Sequence, residues 1–117
     1  MALYETTFII RQDLSAQDAS DVVDTLAETI KENGGKLLKK EYWGLRSLAY
    51  KINKSGKGHY IMLGVDAPAT AIKELSRKCR INENIMRTLT VKVDYISKDP
   101  SPVMVKDRDG EDKRRAA

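Results

Sequence analysis

Apolar side chains in this chain recur with a period of two, then of 3.6, then of two again, and that succession is run through twice. Only a fold in which helices return the chain to a shared sheet accommodates such an order. Residues 3–10 alternate. Tyr4, Thr6, Phe8 and Ile10 share one side, and Leu3, Glu5, Thr7 and Ile9 share the other. β-Branched and aromatic residues dominate, which predicts a strand. Ser15 then starts a helix, its hydroxyl placed to accept from a first-turn amide, with Asp18 three residues on. Ala19, Val22, Val23, Leu26, Ala27 and Ile30 form one helical stripe, opposite Asp18, Asp21, Asp24, Thr25, Glu28 and Glu32. Asn33-Gly34-Gly35 ends it, because glycine accepts the left-handed conformation.

Residues 36–52 read as a long strand that Gly44 interrupts, a sign of a bulge or bend. The glycines of Asn53-Lys-Ser-Gly-Lys-Gly58 predict a hairpin turn, and residues 59–65 the return strand. On that strand Ile61, Leu63 and Val65 make the better core set, so Tyr60 and Met62 are expected outward. Pro68 opens a second helix, where its missing N–H costs nothing. Ile72, Leu75 and Cys79 repeat along it, which makes Cys79 a core thiol. Asn82-Glu83-Asn84 breaks the helix, and residues 85–96 are the last strand. The order β-α-β-β-α-β predicts an α+β, ferredoxin-like sandwich: one antiparallel four-stranded sheet with two helices on one face. The 117 residues suit one domain, expected over 1–96. Residues 97–117 hold two prolines and a nearly unbroken charge run and are expected to form a flexible charged tail.

A single cysteine and a single histidine exclude a disulfide framework, a multi-cysteine metal cluster and enzymes built on paired histidines. No metal ligand set, cofactor or catalytic group is expected, and Gly56-x-Gly58 lacks the third glycine of a dinucleotide loop. No apolar run approaches the ~20 residues that span a bilayer. Met1-Ala-Leu-Tyr-Glu5 does not read as a secretion signal. The expectation is a soluble cytoplasmic protein with no membrane partner and no small-molecule substrate.

Charge divides along the chain. Residues 1–35 carry two basic against seven acidic side chains, whereas residues 36–96 carry thirteen basic against five acidic. A concentrated positive region attracts a polyanion, most often nucleic acid. The basic residues gather at the hairpin (Arg46, Lys51, Lys54, Lys57) and around the second helix end and last strand (Lys73, Arg77, Lys78, Arg80, Arg87, Lys92). Tyr42, Trp43, Tyr50 and Tyr60 lie among them, placed either to stack on unpaired bases or, as for Trp43 and Tyr50, to close the ends of the core. On the last strand Leu89, Val91, Val93 and Tyr95 alternate with Met86, Thr88, Thr90, Lys92 and Asp94, and periodicity alone turns Leu89 and Val91 inward. Either way both sheet faces carry apolar residues, which suggests a protein partner beside a nucleic acid.

Trp43-Gly-Leu-Arg-Ser-Leu-Ala-Tyr-Lys-Ile52 resembles the bacterial small-subunit ribosomal protein six family. So do Tyr4-Glu5, the Asn33-Gly34-Gly35 helix stop and Arg80-Ile-x-x-Asn-Ile-x-Arg87, over about residues 3–95. Lys51 and Ser47 depart from the family pattern. The resemblance implies a ribosomal protein that binds the central domain of small-subunit (16S) ribosomal RNA together with small-subunit ribosomal protein eighteen. Carried onto this sequence, it implies ribosomal RNA contacts at Arg80, Arg87, Lys92, Arg46, Lys54 and Lys57. It implies partner contacts at Tyr60, Met62, Leu89 and Val91. Two other readings share the fold. One is a stand-alone RNA-binding module resembling an RNA recognition motif, faintly matched by Lys57-Gly-His-Tyr-Ile-Met-Leu63. The other is a ligand-sensing regulatory domain, with Asn33-Gly34-Gly35 as its loop.

Overall fold

Six elements follow in the order the periods predict: β1 Ala2–Arg11, α1 Ala16–Glu32, β2 Lys36–Ile52, β3 Ser55–Ala67, α2 Ala69–Ile81 and β4 Ile85–Val93. A computed structural model of the chain describes residues 1–52 and 55–97. Lys54 and the expected tail from residue 98 onward lie outside the described residues. All pairings are antiparallel, and the strand order is β2-β3-β1-β4. β1, first in sequence, is therefore central, while β2 and β4 are the edges.

Ser15 caps α1 as its sequence position predicts, its Oγ accepting the Asp18 N–H at 3.0 Å. That satisfies one of the amides a helix start leaves unpaired. Gly34, at φ 86°, turns the chain out of α1. The apolar stripe of α1 and Ala71, Leu75 and Cys79 of α2 pack on Phe8, Ile10, Ile61, Leu63 and Val65. These form one core, so both helices cover the same sheet face. Truncating a buried leucine such as Leu75 to alanine costs about 2–5 kcal/mol. Lys40 Nζ of β2 donates to Asp24 Oδ1 of α1 at 2.6 Å, and Lys78 Nζ of α2 donates to Thr29 Oγ1 of α1 at 3.0 Å. Polar tips thus close the rim of the core.

The last strand corrects two expectations. β4 ends at Val93 rather than residue 96. Register with β1 pairs Phe8 with Thr88 and Thr6 with Thr90, which turns the threonines toward the helices and Leu89 and Val91 away from them. Thr6 and Thr90 hydroxyls meet at 3.0 Å, so the inward threonine finds a hydrogen-bonding partner. The periodicity of β4 cannot show this, because the identity of its inward face is set by β1.

β2 carries irregularities after Leu37 and Tyr42. At the second, Tyr42 pairs with Ile61 and Gly44 with Tyr60, which leaves Trp43 as the extra residue of a bulge. Gly44, at φ 96°, supplies the backbone conformation that bulge requires. Tyr42 points to the helix side, where its OH meets His59 Nδ1 at 2.8 Å. His59 Nε2 lies 2.7 Å from the Leu14 carbonyl, so both ring nitrogens of this buried histidine are satisfied within the fold.

Candidate nucleic-acid and partner interface

The helix-free face is set by register. Leu3, Glu5, Thr7 and Ile9 of β1 stand opposite Val93, Val91, Leu89 and Arg87 of β4. Ile9 and Thr7 stand opposite Tyr60 and Met62 of β3, and Met62 opposite Glu41 of β2. Leu89 is 64% and Val91 48% exposed, a pair of aliphatic side chains that meet water on an edge strand. Met62 occupies the expected face but is only 1% exposed. It lies on an interior strand between Thr7 and Glu41, so its side chain is covered and offers little contact surface of its own.

A groove of about 370 Å³ runs beside it, lined by Thr7, Ile9, Trp43, Tyr60, Arg87, Thr88 and Leu89. Sequence reading left Trp43 between base stacking and closing the core, and missed Ile9 as a member of this surface. The bulge is what delivers Trp43, and the only sequence signal for it is Gly44. Trp43 Nε1 donates to Glu41 Oε1 at 3.1 Å. Glu41 is 6% exposed, and its Oε2 is 3.6 Å from Lys39 Nζ.

The opposite half of the face is covered by the chain itself. After β4, residues 94–97 turn back across β1. Lys39 Nζ donates to the Ser97 carbonyl at 2.9 Å. Ile96 lies on Gly64, where an added Cβ would stand 3.1 Å from Ile96 Cδ1 and Cγ2. Gly64 is thus the low point of the sheet over which this segment passes.

The cations sort by the two ends of the slab. Arg46 pairs with Gly58 at the base of the β2–β3 hairpin, next to Lys57. Arg11 N–H donates to the Asn84 carbonyl at 3.0 Å, and Arg11 pairs with Gly58, so the end of α2 and the start of β4 reach the same end. Arg46, Lys57, Arg80 and Arg87 therefore lie toward the same end, Arg46 and Lys57 at the β2–β3 hairpin and Arg87 on the opposite edge strand. Lys92 does not join them. It pairs with Tyr4 on the helix side of the sheet, five residues along β4 from Arg87, about 17 Å away. Arg80, Arg87 and Lys57 are exposed. Arg46 is half-buried, its Nε donating to the Trp43 carbonyl at 3.1 Å, so it braces the bulge. Arg77 is committed to Glu74, whose carboxyl it holds below the usual range, chiefly by hydrogen bonding.

Burial pushes the Cys79 thiol up to about 11, which keeps it protonated and unreactive at neutral pH. Desolvation also raises the Tyr42 hydroxyl. Among the described residues no group of three or more His, Cys, Asp or Glu is placed to hold a metal ion, and no helix is long and apolar enough to cross a membrane. The surface can do two things chemically: present guanidinium and ammonium groups to phosphates at one end, and present hydrocarbon to a partner on the helix-free face.

The family model for ribosomal protein S6 matches residues 3–92. The small ribosomal subunit protein bS6 of Rickettsia prowazekii is 53% identical over 104 residues, covering 89% of this chain and 86% of that protein. The crystal structure of 30S ribosomal protein S6 from Thermotoga maritima superposes with a TM-score of 0.74 at 26% identity, covering 98% of this chain and 95% of that one. The P2 domain of the chemotaxis kinase CheA from the same organism shares the fold alone, at a TM-score of 0.51 and 13% identity.

Proposed function

This chain belongs to the ribosomal protein S6 family, and from that membership we propose that it binds the central domain of small-subunit (16S) ribosomal RNA jointly with small-subunit ribosomal protein eighteen. Its relatives are named small ribosomal subunit proteins, and that membership supports reading the chain as a non-enzymatic part of the translation machinery in the cytoplasm. The observation that carries the joint-binding reading is a juxtaposition. An exposed aliphatic strip, Leu89 and Val91, and a groove holding Tyr60 lie on the helix-free face, and one end of that face bears Arg46 and Arg87, with Lys57 of β3 and Arg80 of α2 at the same end of the slab on the helix side. Phosphates meet the cationic end, and the partner protein covers the strip and the groove, while buried Met62 offers it little surface. Lys92 stands apart from these cations, on the helix side at the other end of β4, and takes no part in this contact.

Filter binding to a central-domain RNA fragment with the partner present tests this. The double variant Arg80→Ala, Arg87→Ala is expected to weaken binding and to lower the slope of log affinity against log salt by about 1.5. Unchanged affinity and unchanged slope would remove the RNA assignment.

A further inference from the structure

We propose that Trp43 is a contact residue for the protein partner and that Glu41 is its positioning residue, with Lys39 pinning the carboxylate; this rests on the reading of the helix-free face as a docking surface. Trp43 reaches that face because the Gly44 bulge adds it to β2. Its one polar atom, Nε1, is already taken by Glu41 Oε1 at 3.1 Å, so the indole offers the groove hydrocarbon only. Glu41 is buried and is held from its other oxygen by Lys39, whose Nζ also bonds the Ser97 carbonyl. A buried carboxylate fixed on two sides is a rigid support, and a side chain oriented by a rigid neighbour loses less freedom on binding.

The lining decides the occupant. Ile9, Leu89 and the indole, whose Nε1 is taken up by Glu41, are its hydrocarbon walls, beside Thr7, Tyr60, Thr88 and Arg87. Arg87 is the one charged residue of the lining, and it is cationic. The fit is an apolar side chain carried on an acidic or uncharged segment. The groove is continuous with Leu89, so the same partner covers the exposed strip.

Trp43 is the chain's single tryptophan, so its emission reports on this groove alone. The full chain is titrated separately with ribosomal protein eighteen and with the central-domain RNA fragment. The partner protein alone is expected to shift Trp43 emission to the blue and to shield it from acrylamide. Trp43→Ala is expected to weaken the partner at least tenfold, and Trp43→Phe to recover most of that. Glu41→Gln, read by acrylamide access to Trp43 in the free protein, is expected to loosen the indole and weaken the partner several-fold. Partner binding that ignores Trp43→Phe and Trp43→Ala overturns this inference and leaves the docking reading intact. So does a shift produced by RNA alone, which assigns the groove to a base. If the unaltered chain binds no partner protein, the docking reading falls and takes this inference with it.

Discussion

Gly44 and Cys79 show how one position can set either a surface or an inert interior. An alanine at Gly44 meets no neighbour within 4 Å, so its cost is conformational. Holding a non-glycine residue at φ 96° is expected to lower unfolding free energy by about 1–2 kcal/mol in urea titration, and to disturb Trp43 emission at the same time. A change in stability without a change in emission would detach Trp43 from the bulge. Cys79 gives a pH signature. Its thiol is raised from near 9 to about 11, so the unfolded chain ionises first as pH rises. Stability from this group is complete below pH 9 and is lost as pH climbs toward 11. Unfolding free energy of the parent should therefore fall more steeply across that window than that of Cys79→Ala. Both roles were legible in part. A thiol on the apolar stripe of a helix reads as core, and a glycine inside a strand reads as a bulge, but nothing in the sequence tells which side chain a bulge re-aims.

β4 is the element whose pattern misleads. Leu89 and Val91 carry the hydrophobicity, yet Thr88 and Thr90 face the helices, because Phe8 and Thr6 of β1 set the register. An edge strand that points its aliphatic side chains at water is poor for solubility and suited to a partner. Leu89→Asp is expected to leave the melting temperature nearly unchanged, since the side chain is 64% exposed, and to weaken the partner protein more than tenfold. A large drop in melting temperature with partner affinity intact would show Leu89 to be a core residue after all. The helices behave differently. Ser15, the stripe from Ala19 to Ile30 and the glycines after Asn33 were legible because a helix is specified locally, by bonds and contacts within four residues.

Over the whole molecule, the cations that one stretch of sequence brings together are separated by the fold. Arg87 and Lys92 share β4, yet they occupy opposite faces and opposite ends of the slab. Lys92→Ala is accordingly expected to leave the salt slope of RNA binding unchanged where Arg87→Ala lowers it by about 0.7 to 0.9. Equal effects from the two in filter binding would mean that the RNA wraps the edge strand from end to end. The sequence alone determined the element order, the antiparallel sandwich, the buried stripes and the family, because period, capping residues and local motifs are properties of neighbouring residues. Tertiary structure alone decided which face of β4 meets water, that Met62 is buried, that Trp43 and Ile9 join the groove, and that Ile96 covers Gly64. Each of these depends on cross-strand register, which is fixed by pairing between residues far apart in the chain, and a shift of one residue there turns every side chain to the other face.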